Sequence, residues 1–350
     1  MGDTIYCTYC ILLGHRKKGY AVKRTQWART IWGKGLLFIV TMFFLSAAVF
    51  YISSYAPGDP LQAFYGERIE RMSAEELAAA RQRLGLDGPV YVRYASWLYL
   101  ALHGEFGMSL LYREPAVDVI RDYAGNTLIL GTVSYVLVFL LAVVLALVCV
   151  LHEDTWIDTV ICKAGTVLYY IPAFWLGLLL ILVFNVNAGW LPGSGAYDPG
   201  RSGDIVNRIE HLILPGIVMI SSHVWYYAYI IRNKMFQEAR QEYVFLAKIK
   251  GLRRWQVACR HCLRNTAPTI VSIMAISVNH ILGGTYVIEA VFSYPGIGAI
   301  AVESAKGHDY NLLMLIVMVT GMFVILSGLA AQAVNERLDG RMKANGEDRV

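Results

Sequence analysis

The sequence predicts an all-α polytopic membrane protein. It should have six transmembrane helices, a small extracytoplasmic helical insertion between the first and second, and a cytoplasmic loop between the fourth and fifth. Three observations carry this. Of the 350 residues, 56% are hydrophobic and only 16% charged, with a mean hydropathy of +0.46; a soluble domain carries about 25% charged residues. The apolar residues sit in blocks long enough to cross a hydrocarbon core of about 30 Å, which takes roughly 20 helical residues. The lysines and arginines cluster beside those blocks, where they set orientation. The net charge of +5 therefore reports membrane topology and is no sign of a nucleic-acid partner.

Residues 1–35 form a basic tail, with Arg16, Lys17, Lys18, Lys23, Arg24, Arg29 and Lys34 against Asp3. A secretory signal has a short basic region and a short apolar core. Here the basic region is long and the apolar run 36–55 is of spanning length, so it reads as an uncleaved first span with its amino end inside. Cys7, Cys10 and His15 lack the second ligand pair that a zinc site needs. No cysteine falls in a segment placed outside the membrane, which fits reduced thiols.

Segment 56–123 is the extracytoplasmic insertion. Ser73 and Glu76 make a capping box, and Gly85 closes the helix they begin. Asp87 and Pro89 open another helix, whose apolar face is Tyr94, Trp97, Leu98, Ala101 and Leu102. Five apolar blocks near 124–150, 159–186, 211–231, 266–288 and 311–334 complete a permeation core over 124–335, and 336–350 is a cytoplasmic tail. The outer loops near 187–210 and 289–310 hold only Arg201, Arg208 and Lys306. Positive charge and span count thus agree on both termini inside.

The stretch 232–265 is the one long polar segment between apolar runs. It has nine lysines and arginines against Glu238 and Glu242. Tyr243, Leu246 and Ala247 fall at helical spacing. Gly251 then stops the helix, because glycine enters the left-handed cap cheaply. A second stripe follows at Leu252, Trp255, Cys259 and Cys262. A basic amphipathic helix on anionic lipid is the alternative, but such a helix has no reason to break at a glycine and restart.

EYVFLAKIKGL at 242–252 with RHCLRNTAPTI at 260–270 resembles the coupling loop of ABC-importer permeases of the dipeptide, oligopeptide and nickel branch. APGDP at 56–60, RLGLDGPV at 83–90, GEFGMSL at 104–110, YIPAFWLGLLLI at 170–181, GWLPGSG at 189–195 and GGTYVIEAVFSYPGIG at 283–298 are similar to other stretches of that family. The match runs from about 36 to 343. One departure is that Pro268 follows Asn265 by three residues where the family sets four, which bears on where the next span starts.

The resemblance implies a non-enzymatic channel subunit. Its partners would be a related second permease, two ATP-binding cassette ATPases, an extracytoplasmic solute-binding protein and membrane lipid. It also implies that Glu242, Tyr243, Ala247, Gly251 and Leu252 meet the ATPase, and that peptides are the cargo, with nickel or a nickel chelate as the alternative. A stand-alone ion-coupled carrier is the alternative of another class; it needs intramembrane carboxylates, and the spans hold almost none. No cofactor is expected: no G-x-x-x-x-G-K-[ST] occurs, so this chain has no P-loop.

Residues along the path are candidates on chemical grounds. His223 and His280 lie inside spans and must face protein or water. They would line the path, touch metal in a nickel carrier, or make interhelical hydrogen bonds. Asn279 adjoins His280, and Gly283 and Gly284 would permit close helix contact. Glu289 at the end of the fifth span is a path candidate or a snorkelling carboxylate. Pro295, Gly296 and Gly298 suggest a tight re-entrant turn or an ordinary surface turn.

Overall fold

The computed structural model describes residues 33–338 apart from Pro57; Cys7 and Cys10 lie outside the described residues. In chain order the helices are α1 (Gly33–Tyr55), α2 (Pro60–Tyr65), α3 (Ala74–Arg83), α4 (Val90–Leu102), α5 (Ala116–Leu151), α6 (Trp156–Tyr169), α7 (Ala173–Leu180), α8 (Ile205–Ala239), α9 (Glu242–Ile249), α10 (Arg254–Val257), α11 (Leu263–Val291), α12 (Ile297–Lys306) and α13 (Tyr310–Leu338). Five stretches are long and apolar enough to span: Gly33–Tyr55, Ala116–Leu151, Ile205–Ala239, Arg254–Val291 and Tyr310–Asn335.

The expected third span, 159–186, is not one straight rod. Trp156–Tyr169 and Ala173–Asn187 meet at 93°. Pro172 explains the break, since it lacks an N–H and pushes Ile171 out of the helical region. The pair supplies a sixth crossing only if the two arms together make one.

α5, α8 and α11 form the core. Val138, Phe139, Ala142, Leu214, Val218, Ile231, Ile281 and Ile288 are all buried in one cluster. α5 begins at Ala116, eight residues before the expected boundary, so the second span grows out of the insertion. The capping box of Ser73 and Glu76 is present, and Gly85 takes φ +64°. α4 packs against the bundle. Tyr94 and Trp97 pack on Phe50 of α1 and Met314 of α13, and the Tyr94 hydroxyl meets that of Ser46 at 2.9 Å. Leu102, expected on that face, is exposed instead, because the helix ends there.

Two further motifs close this insertion end of the bundle. The GEFGMSL stretch turns at Gly107 and bridges back from Met108 to Pro115. Buried Asp309 accepts the Leu111 N–H at 3.1 Å and the Ser109 hydroxyl, clamping that turn onto the start of α13. The Gly195 N–H donates to the Phe292 carbonyl at 3.0 Å, which joins the GWLPGSG loop to the end of α11.

Candidate functional site

The segment 232–265 lies at the opposite end of the bundle, where α5 and α8 finish side by side. α9 ends at Ile249 with Lys250 as its cap, and Gly251 has φ +81°, the left-handed turn its position demands. The space around Gly251 is open, so strain alone selects glycine here. α10 follows, and its Arg253 N–H is capped by the Gln256 side chain at 2.9 Å. A π-turn over Ala258–Cys262 then feeds α11 directly. The helix is therefore already formed when the chain reaches Pro268, which sits inside α11 rather than marking its start near 266.

The face that α9 and α10 turn inward differs from the expected stripes. Val244, Ala247, Val257, Ala258 and Cys262 are buried, with Tyr243 and Leu252 packed beside them. Phe245, Leu246, Ile249 and Trp255 are 65%, 57%, 66% and 55% exposed, and Cys259 is exposed too. Leu246, Trp255 and Cys259 are thus outward residues. Helical spacing identifies an apolar stripe but not which of two apolar faces the rest of the fold covers. Of the candidate coupling residues, Glu242 and Gly251 are exposed, Tyr243 and Leu252 half-buried, and Ala247 buried. The Tyr243 phenol donates to Glu238; burial and that carboxylate push its pKa up to about 12. Arg240 and Glu153 pair at 3.4 Å and tie the segment to the end of α5.

Just inside this end, Arg232 of α8 grips Asp158 of α6. Its Nε donates to Oδ1 at 2.8 Å and its Nη2 to Oδ2, with the guanidinium 4.3 Å over the Phe236 ring. Cys149 and Cys162 flank the pair, and one ligand atom from each lies within 4.8 Å of the others and of Asp158. The guanidinium already supplies the cation, so this is an ion pair between two thiols and not a metal-ligand set.

Mid-bundle, His223 and His280 come together, with ring centroids 5.0 Å apart. His223 is buried and bonds its own helix at the Met219 carbonyl, 2.9 Å away. His280 is exposed and reaches across from α11 to the Tyr227 hydroxyl at 3.0 Å. Gly284 makes the approach possible, since a Cβ there would lie 2.8 Å from the His223 ring; Gly283 faces open space. Tyr226 stands 5.9 Å from His280 and stacks on Tyr169 at 6.1 Å. Together they form an aromatic and imidazole face over α6, α8 and α11. Asn279 does not share it. Its amide donates to the Val324 carbonyl at 3.1 Å and accepts from Ser327, both on α13.

Glu289 is fully buried, which excludes the snorkelling alternative. Its Oε2 accepts the N–H groups of Gly298 and Ala299 at 2.7 and 3.3 Å, so the carboxyl group caps the N-terminus of α12. A side chain at Gly296 would occupy the space that the carboxylate fills. Asn126 donates to the Pro295 carbonyl at 2.8 Å, and Thr127 accepts from the Ile297 N–H at 2.8 Å. The turn at 292–296 is thus bolted into α5 and is not an ordinary surface turn.

Such a bundle, with a kinked third segment and a two-helix basic plate at one end, defines a transport component of the membrane. The chain belongs to the family described as the binding-protein-dependent transport system inner membrane component, which matches residues 119–344. The family's N-terminal region matches residues 29–131. The chain is therefore a multi-pass inner-membrane protein and a membrane component rather than an ATPase. It is 29% identical over 309 residues to the oligopeptide transport system permease protein AppB of Bacillus subtilis, covering 88% of this chain and 97% of that one. It is 29% identical over 296 residues to the glutathione transport system permease protein GsiC of Escherichia coli, covering 85% and 92%. Among solved structures, an inward-facing form of the MetNI methionine ABC transporter superposes with a TM-score of 0.53 at 14% identity, over 64% of this chain and 98% of that one. That likeness is one of fold.

Proposed function

We propose that this chain is the channel-forming permease of an ATP-driven importer that carries peptides across the cytoplasmic membrane by alternating access. A related second permease, two ATP-binding cassette ATPases and an extracytoplasmic solute-binding protein complete the complex. Both termini and segment 232–265 face the cytoplasm, and 56–123 lies outside. The relatives named above are called permeases of oligopeptide and glutathione transport, which supports peptides over nickel as cargo.

The observation that carries the reading is the plate of α9 and α10. It exposes Phe245, Leu246, Ile249 and Trp255 among Lys248, Lys250, Arg253 and Arg254. Exposed apolar groups rimmed by charge mark a protein interface, and this one sits on the ends of the core helices. An ATPase that closes on the plate pushes α8 and α11 through their junctions with it. Between those helices, His223, His280, Tyr226 and Tyr227 offer hydrogen bonds without fixed charge. That chemistry suits a polar, near-neutral chain of amides in transit. Glu242, Tyr243, Ala247, Gly251 and Leu252 act in this reading as the contact and its frame.

A stand-alone ion-coupled carrier finds less support. Of the carboxylates buried among the described residues, Asp158 pairs with Arg232, Glu289 caps α12 and Asp309 clamps the 107–115 turn. The deciding experiment is uptake of labelled di- and oligopeptides, glutathione and nickel in a strain deleted for this chain and complemented with it. Peptide uptake that needs both this chain and a functional ATPase is expected. Uptake that persists without any ATPase would point to the carrier instead.

A further inference from the structure

The loop 188–204 crosses the end of the bundle where α12 sits, and two side chains of α8 hold it there. Asn207 and His211, one turn apart, are 3% and 4% exposed. Asn207 takes Asp198 on two sides. Its Oδ1 accepts the Asp198 N–H and its Nδ2 donates to the carboxylate Oδ2, each at 2.8 Å. The His211 ring lies between two acceptors: Nδ1 stands 3.1 Å from the Gly195 carbonyl oxygen, and Nε2 3.4 Å from the other Asp198 oxygen. All these contacts are made inside this chain, so no partner subunit is needed to complete them.

A carbonyl oxygen only accepts hydrogen bonds, and so does a carboxylate. A neutral imidazole has one N–H and one lone pair. It satisfies one of the two acceptors and turns its lone pair on the other. The imidazolium has two N–H groups and satisfies both. Asp198 serves as the anion here, since its Oδ2 also accepts from Asn207 and its side chain is 53% exposed. Protonation of His211 thus completes the fastening, and loss of the proton leaves one end of it unmade. The fastening reaches beyond the loop. The Gly195 N–H donates to the Phe292 carbonyl at 3.0 Å, and Phe292 opens the turn that Asn126 and Thr127 bolt to α5. Gly195 therefore joins α8 to the end of α11.

We propose that His211 is a proton-dependent latch of the outer mouth: its imidazolium clamps loop 188–204 across the ends of α8 and α11, and its deprotonation frees the loop. Imidazole changes charge between about pH 5 and pH 8. The latch is complete at the acid end of that range and loosens as pH rises, because the protonated form makes both bonds. The ionisable groups around it do not provide the same switch. Arg208, one turn earlier on α8, lies 5.4 Å from the Tyr197 ring centre and reaches Asn126 of α5 at 3.4 Å. Glu210 on α8, and Arg201 and Asp204 in the loop, are exposed. At the end of α11, burial pushes the Tyr294 phenol up to about 12, so it stays neutral throughout, and Glu289 is occupied by the cap of α12. Among the described residues, the ring bonds Gly195 and Asp198. That the latch faces the outer medium, and so tunes import to its acidity, rests on the orientation proposed above; that the latch exists does not.

The test is hydrogen exchange read by mass spectrometry on the full-length chain, with the subunits that co-purify with it, in lipid nanodiscs. Both faces then see one buffer, so the outcome is independent of orientation, which the thiol reagent at Ser73 and Gln237 tests apart. Protection of amides 194–198, corrected for intrinsic exchange, is compared at about pH 5.5 and about pH 8, on either side of the imidazole range. A fall of about tenfold toward the higher pH is expected in the parent, the loss of one hydrogen bond to a charged group. Asp198→Asn should remove the pH dependence, because its amide nitrogen donates to the lone pair of neutral imidazole while its oxygen still accepts from Asn207. His211→Gln should remove it too. Equal protection of the parent at both pH values overturns the proposal, and so does a pH dependence that survives in Asp198→Asn. Asp198 is half exposed, so the parent and that variant decide even if His211→Gln fails to assemble.

Discussion

At the scale of single residues, two positions carry sharp consequences. Gly251 holds φ +81° in open space, so any other residue loses through backbone strain of about 1–2 kcal/mol, and a β-branched one loses more. Gly251→Val should redirect α10 while leaving the spans alone. Normal membrane levels, lost uptake and weaker co-purification of the ATPase are expected; full uptake with full co-purification would falsify the coupling role. Arg232 is the second position. Removing one partner of a buried ion pair costs about 3–5 kcal/mol, whereas replacing both by apolar groups is often neutral. Arg232→Met should therefore lower the melting temperature of the purified permease clearly, and Asp158→Leu/Arg232→Met should recover most of it. Equal melting of Arg232→Met and the parent would show that the pair contributes nothing.

At the scale of elements, the plate of α9 and α10 divides its labour between faces. Val244 and Ala247 anchor it, and Phe245 and Trp255 project from it. Interfaces concentrate their energy in a few aromatic anchors worth about 2 kcal/mol or more each. Phe245→Asp and Trp255→Asp should each weaken ATPase association about 30-fold or more, with expression unchanged because both side chains are exposed. Retained affinity in a pull-down titration of both variants would remove the plate as the docking element. α12 obeys a different logic. Its N-terminal N–H groups are satisfied by Glu289 rather than by a residue of its own sequence. Glu289→Ala orphans those donors at about 1–3 kcal/mol each. It should loosen the 292–299 turn, read as faster amide exchange at Gly298 and Ala299 than in the parent.

At the scale of the whole molecule, the proposed orientation makes the two ends chemically distinguishable in cells. A cysteine at Ser73 should react with an impermeant thiol reagent once any outer membrane is made permeable, and one at Gln237 should not. Labelling of the second under the same conditions would invert the topology. The proposed complex also predicts that the chain does not work alone. Its aromatic and imidazole face belongs to one bundle, and no nucleotide-binding loop occurs in its 350 residues. ATP hydrolysis by the chain purified free of other subunits is expected to be nil.

The sequence by itself determined the all-helical class, most of the spans, the break at Gly251 and the capping box at Ser73. Each depends on a local cause: a run of apolar residues, a φ that only glycine adopts cheaply, or a side chain that reaches three residues along. Its motifs also pointed to the family, because a tight turn such as YPGIG tolerates few sequences. The tertiary structure alone decided what each stripe faces. Leu246 and Trp255 fall outside while Ala247 and Cys262 of the same stripes are buried, since burial depends on which neighbour arrives and not on period. Tertiary structure also paired Asp158 with Arg232 across 74 residues, and turned Asn279 toward α13 while His280 beside it met Tyr227. It set the 93° bend at Pro172 too. Proline marks a break locally, but the angle of a break is chosen by the helices packed around it.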